Sequence, residues 1–245
     1  MLQQLQSEFL SYLAQQGCES GHRLPTINQL AQQLGISTSK LREQLEVART
    51  LGLVEVRPKI GIRTLDYSFF SGLRTSLRFA LELDPGYFEL YGWLRDHIEV
   101  AFWHEAVRLL QPEDKEHLKD LVERAWQKLR ATPVMIPHGE HRELHLTIFS
   151  KLNNPFVLGL LEAYWDAYEM IGLNVHSDYK YLEQVWMYHQ QMVEAILDED
   201  FDSGYIALVE HVGMLHHRPE LNRYRSSKLI KTREKRGRDA QRSDN

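Results

Sequence analysis

Residues 24–61 read LPTINQLAQQLGISTSKLREQLEVARTLGLVEVRPKIG, and the order of signals in this stretch decides the fold. Thr26 followed three residues later by Gln29 is a capping box. Its hydroxyl accepts the N–H at position 29, and the Gln29 side chain reaches back to position 26. The helix opened there carries Leu30, Ala31 and Leu34 and stops at Gly35, the residue type that best follows a last helical turn. Ser37 or Thr38 caps the next helix, with Leu41, Leu45 and Ala48 on its inner face and Gly52 after its end. The period then changes to two. Leu53-Val54-Glu55-Val56-Arg57 alternates, Pro58-Lys59-Ile60-Gly61 turns, and Ile62-Arg63-Thr64 returns as a second strand. Upstream, Leu2, Leu5, Phe9, Leu10 and Leu13 predict a first helix over 2–16, with a loop from Cys18 to Arg23. Three short helices and a two-stranded ribbon, in that order, make a winged helix-turn-helix.

The short turn after Gly35 sets the third helix across the second, so that it can enter a major groove. The face offered to DNA holds Ser37, Thr38, Ser39, Lys40 and Arg42, all small, polar or basic. Arg49, and Arg57 with Lys59 on the ribbon, add phosphate contacts. The alternative for such a module is protein binding through a solvated polar face.

Downstream, Tyr67, Phe69, Phe70, Leu73, Leu77, Phe79 and Leu81 predict a linking helix that ends at Asp84-Pro85-Gly86. Six helical segments follow, at roughly 87–110, 112–131, 138–152, 155–173, 178–199 and 201–217, separated by short Pro-, Asn- and Asp-rich breaks. Short breaks between long amphipathic helices make neighbours antiparallel. The expected fold is therefore mostly α: an N-terminal winged helix-turn-helix with a small β-ribbon wing, then an antiparallel six-helix bundle. The expected divisions are a DNA-binding domain at 1–66, the linking helix at 67–86, a helical effector-binding and dimerisation domain at 87–217, and a basic, disordered tail at 218–245.

Composition narrows the class. The 245 residues are 43% hydrophobic and 26% charged, a globular balance. No apolar run approaches the roughly 18 residues of a membrane helix, and the N-terminal stretch lacks the basic residues of a secretory signal. Cys18 is the single cysteine, which excludes an intramolecular disulfide framework and a multi-cysteine zinc site and points to a reducing cytoplasm. The net charge of −5 is unevenly spread: +1 over residues 1–66, −12 over 67–217 and +6 over 218–245. The middle region repels a phosphate backbone, so any nucleic-acid contact belongs to an end.

Twelve histidines are present, mostly in the second half. His141 and His145 lie four apart and share a helix face. His189 precedes Asp200 by 11 residues and His211 follows it by 11, so antiparallel packing across that turn brings the two level. Four converging imidazoles suit a borderline divalent cation such as Zn²⁺ or Ni²⁺; the alternative is that the four are separate surface or core residues. His138, His176, His216 and His217 are read as ordinary surface or core residues. In His141-Arg142-Glu143-Leu144-His145, Arg142 stands where a zinc-protease helix needs its general base, and Glu143 comes one residue later. No nucleophile–base constellation or glycine-rich phosphate loop is present, so an enzyme is not expected.

The 24–61 stretch resembles the GntR-type winged helix. HRELHLTIFSKLNNP and YHQQMVEAILDEDFDSGYIALVEH resemble the effector (FCD) domain of its FadR subgroup, and the likeness covers about residues 5–217. The resemblance implies a divalent metal held by three histidines and an aspartate; these positions fall on His145, His189 and His211, with His141 in the aspartate's place. It implies an effector-gripping arginine at Arg95, suited to a bidentate hold on a carboxylate; pairing of Arg95 with Glu99 is the alternative use. Tyr164, Trp165 and Tyr168 are candidate cavity walls or plain core. On the DNA side, Thr26 and Asn28 join the interface. Asn28 and Thr38 stand where relatives carry arginine, which implies a changed operator.

The expected function is a cytoplasmic homodimeric regulator, a repressor, reading a pseudo-palindromic double-stranded DNA site. A small organic acid bound through a divalent metal, Zn or Ni, would modulate it; no membrane is involved. The alternatives are a metal-dependent enzyme or metal sensor with a vestigial or protein-binding winged helix, and a dimeric DNA-binding protein with a vestigial cavity.

Overall fold

The computed structural model describes residues 6–17, 20–173 and 178–215. The chain divides into two compact units, Met1–Thr75 and Ser76–Asn245. In the first, α1 (Glu8–Gln16), α2 (Ile27–Leu34) and α3 (Thr38–Thr50) precede β1 (Val54–Arg57) and β2 (Gly61–Thr64). The first helix starts later than its apolar spacing predicts. Ser7 takes an extended conformation and accepts the N–H of Leu10, which caps α1 at Glu8. Leu2, Leu5 and Cys18 lie outside the described residues.

Thr26 and Gln29 form the capping box: Gln29 Oε1 accepts the N–H of Thr26 at 2.9 Å and Thr26 Oγ1 accepts that of Gln29 at 3.4 Å. Gly35 ends α2 in the left-handed region, at φ 64°, where its N–H reaches the carbonyls of Ala31 and Gln32. Of the two cap candidates for α3, Ser37 is the one used; its Oγ accepts the N–H of Lys40 at 3.1 Å. The ribbon is antiparallel, pairing Val54 with Thr64 and Arg57 with Gly61. One feature departs from the predicted loop: residues 21–24 run along the free edge of β2. Leu24 donates to the Ile62 carbonyl at 2.9 Å and Gly21 to that of Thr64 at 2.8 Å. An unpaired strand edge leaves donors and acceptors without partners, and this segment supplies them. Phe9, Leu13, Leu30, Leu41, Ala48, Val54 and Ile62 are buried together as the core of the unit.

The division between units falls inside α4 (Phe69–Leu83). The helical unit continues with α5 (Tyr87–Leu109), α6 (Pro112–Leu129), α7 (His138–Phe149), α8 (Pro155–Met170), α9 (Tyr179–Leu197) and α10 (Phe201–Leu215). Pro112 and Pro155 open their helices at a position whose N–H has no intrahelical acceptor. α9 packs on α10 and α6, α6 on α7, and α5 on α7, α8 and α10. Trp103, Leu118, Leu121, Leu144, Ile148, Phe149, Leu161, Trp186, Met192, Ile196 and Leu208 form the core. α10 crosses α5 closely enough that a Cβ on Gly204 would meet Trp103 at 2.7 Å. No helix among the described residues is long and apolar enough to cross a membrane. His176, His216, His217 and the tail 218–245 lie outside the described residues.

Candidate metal centre and DNA-recognition surface

The four spaced histidines converge. His141 and His145 descend from α7, His189 comes from α9 and His211 from α10, and one ring nitrogen from each lies within 4.8 Å of the others. The rings of His189 and His211 are 4.2 Å apart between centroids, level across the turn at Asp200. Nε2 of His145 is 3.1 Å from Nε2 of His189. His145 and His189 are fully buried, His211 is nearly so, and His141 reaches partway to solvent. His141 Nε2, His189 Nδ1 and His211 Nδ1 are buried without a hydrogen-bond partner. Burial first, then neighbouring imidazoles and the Arg95 cation, holds His141, His189 and His211 well below the ordinary histidine range. Burial and Arg95 do the same to His145. Neutral imidazoles with free lone pairs are the protonation state a metal needs.

α5 lines one side of this cluster with charge. Arg95 is buried, its Nη2 2.9 Å from Glu99 Oε2 and 2.9 Å from His145 Nδ1, and its Nη1 3.1 Å from Asp96 Oδ1. Glu99 Oε1 lies 3.1 Å from His145 Nδ1. Burial pushes the Glu99 carboxyl up to about 7 against the pull of Arg95. Burial also opposes the Arg95 charge, yet Glu99, Tyr164 and Asp96 hold the guanidinium above its ordinary range. The Arg95 guanidinium sits 4.8 Å from the Tyr164 ring centroid, a cation–π contact. Trp165 meets His141 edge-on at 4.6 Å, and Tyr168 lies 6.4 Å from it. Asp96 and the Trp186 ring, 4.8 Å from His189, were not singled out from sequence. A signal for Asp96 does exist: the buried positions of α5 are 88, 92, 95, 96, 99, 103, 106 and 107, a core spacing that runs unbroken through three charged residues.

His138 stands apart from the cluster, stacked on Tyr168 and 3.0 Å from Glu169 Oε1. Glu143 is exposed and 2.9 Å from His117 Nε2, so it lies outside the imidazole cluster.

On the winged unit, Asn28, Thr38, Ser39, Lys40, Arg42 and Lys59 are exposed. Thr26 and Ser37 are exposed too, but their hydroxyls serve as helix caps. Three of the cations predicted to meet DNA already carry carboxylates: Arg49 with Glu46 at 2.5 Å, Arg57 with Glu55 at 2.8 Å, and Lys40 with Glu8 at 2.5 Å. Among the described residues, Arg42 and Lys59 form no ion pair.

A capped helix-turn-helix with a ribbon wing, joined to a helical unit that gathers buried imidazoles, defines the class of two-part DNA-binding regulators. Residues 4–63 match the family model for bacterial regulatory proteins, gntR family, and residues 91–214 match the FCD domain. The chain belongs to the GntR family of transcription regulators and carries an FCD domain. It is 25% identical over 197 residues to the Uxu operon transcriptional regulator of Escherichia coli (strain K12), covering 78% of this chain and 76% of that protein. It is 28% identical over 208 residues to the putative L-lactate dehydrogenase operon regulatory protein of Escherichia coli (strain K12), covering 81% and 78%. The solved structure of Streptococcus agalactiae GntR superposes with a TM-score of 0.59 over 85% of this chain and 96% of that one; at 16% identity the likeness is one of fold.

Proposed function

We propose that the protein is a cytoplasmic homodimeric repressor whose hold on a pseudo-palindromic operator changes when a small organic acid binds beside a divalent metal. The observation that carries the metal is the donor set. Four imidazoles kept neutral by burial offer ligand atoms within 4.8 Å, and three of their buried ring nitrogens lack any other partner. Such nitrogens are costly unless something coordinates them. An all-nitrogen set favours Zn²⁺ or Ni²⁺ over a hard cation. The bound ion supplies a positive, Lewis-acidic centre for a carboxylate.

Arg95 is the second anchor for the acid. Its guanidinium is held in place by Asp96 and Glu99, and an incoming carboxylate competes with them for its N–H groups. Tyr164, whose ring centroid is 4.8 Å from the guanidinium, and Tyr168 beside it would wall the bound acid. L-lactate, the compound in the name of one relative's operon, is an acid of this kind. Binding that differs between two arrangements of the chain shifts DNA affinity by the same coupling energy.

The test starts from protein stripped with chelator. Zn²⁺ and Ni²⁺ are titrated calorimetrically, a panel of small carboxylates is screened by thermal shift with and without metal, and DNA from upstream of the gene is followed by fluorescence anisotropy. The expected result is one metal per chain, a metal-dependent shift with at least one acid, and an operator affinity that this acid changes. Absence of metal binding refutes the centre. DNA binding no tighter than to an unrelated duplex refutes the operator.

A further inference from the structure

The first turn of α1 is tied to the recognition helix, α3, by three contacts. Glu8 Oε1 accepts from Lys40 Nζ at 2.5 Å, and Glu8 Oε2 accepts from Gln44 Nε2 at 2.5 Å. The other end of the same Gln44 amide, Oε1, accepts the backbone N–H of Phe9 at 2.9 Å. Both ends of that amide are engaged, which fixes its orientation. Phe9 is fully buried, so the first turn of α1 cannot lift off α3 without opening the core. Glu46 and Glu55 pair with arginines of their own elements, whereas Glu8 reaches α3 from 32 residues away. Hydrogen bonds from Lys40 and Gln44 hold the Glu8 carboxyl down to about 2, so it is ionised at any working pH.

We propose that Glu8 is a negative determinant of DNA affinity: it engages Lys40 on the first turn of α3 and sets a fixed negative charge where phosphates must approach. This rests on α3 being the recognition helix. DNA phosphates compete with Glu8 for Lys40, so the lysine adds little attraction while the pair holds. Non-specific attraction is thereby reduced, and discrimination falls to Arg42, the lone recognition-helix cation without an ion pair among the described residues, and to the hydroxyls beside it.

The experiment is fluorescence anisotropy of the full chain with two duplexes, one from upstream of the gene and one unrelated, from roughly 50 to 200 mM salt. Glu8→Gln keeps an acceptor for Gln44. It should tighten binding to both duplexes several-fold and steepen the slope of log K against log salt by about 0.9. Glu8→Lys should move both quantities further the same way. Lys40→Ala alone should change affinity less than about twofold, but should cancel the gain when combined with Glu8→Gln. The proposal is overturned if both Glu8 variants, folded by circular dichroism, bind like the parent. It is equally overturned if Lys40→Ala alone costs about tenfold and lowers the slope by about 0.9, as a lysine already on a phosphate would. Arg42→Ala separates the two claims. If it weakens binding while the Glu8 variants do nothing, the recognition helix stands and the proposal falls. If Arg42→Ala is also without effect, the recognition helix falls with it.

Discussion

Acidification of metal-free protein should unfold the helical unit over a narrow pH range. His145, His189 and His211 are buried with folded-state values well below the ordinary histidine range, so the unfolded chain binds protons there first. Their contribution to stability is complete above about pH 6.5 and is lost below it, at up to about 1.4 kcal/mol per pH unit for each group. Glu99 works in the opposite sense. With its folded value up at about 7, it binds its proton first in the folded state, and between that value and the ordinary carboxyl range it regains about the same amount as pH falls. Because the unfolded histidines are only half protonated at pH 6.5, three losses against one gain leave a net fall of about 2 kcal/mol between pH 6.5 and 5.5. His141, which is partly exposed, is left out of this sum. Set against a typical domain stability of about 5–15 kcal/mol, the fall is large. All five tryptophans lie between residues 93 and 186, so their fluorescence reports on the helical unit alone. Urea unfolding followed at their emission, in chelator, should give a stability that drops by this amount. His189→Gln, which removes one buried base, should make the pH dependence shallower by about 1.4 kcal/mol per unit. A stability constant from pH 7.5 to 5.5, or an unchanged slope in the variant, refutes the assignment of neutral buried imidazoles.

Metal should oppose that acid sensitivity. At pH 7.5, Zn²⁺ or Ni²⁺ at one hundred times its dissociation constant should raise stability by about 2.7 kcal/mol, and the increment should vanish in His211→Ala, read by the same urea melts. Arg95→Ala should cost about 3–5 kcal/mol, because it leaves Asp96 and Glu99 buried beside the histidines without their cation; a loss under 1 kcal/mol would show that this charge is not held as described. Gly204→Ala should cost about 1–3 kcal/mol, since its methyl meets the Trp103 ring at 2.7 Å; a thermal melt identical to the parent's would refute the close crossing of α10 over α5.

Much of this was legible in the sequence because it is local. The capping box at Thr26, the left-handed stop at Gly35 and the change of period at Leu53 are contests among neighbours within four residues, and each is settled there. The metal candidates were legible for a related reason. A four-residue spacing places His141 and His145 on one face, and equal distances from the turn at Asp200 bring His189 level with His211. The true start of α1 was not legible from apolar spacing, which runs through 2–16; the Ser7 hydroxyl decided it.

What the sequence by itself determined was the order of elements, the caps and the faces that carry the histidines, since these follow from backbone periodicity and hydrogen bonds a few residues long. Only the tertiary structure decided which groups meet across elements: Glu8 with Lys40, Arg95 with His145, and residues 21–24 with the edge of β2. Contacts between different elements are chosen by burial, which no local pattern encodes. A charged residue at a core position such as Arg95 draws on its own helix, through Asp96 and Glu99, and on whatever the fold packs against it, here His145 and Tyr164.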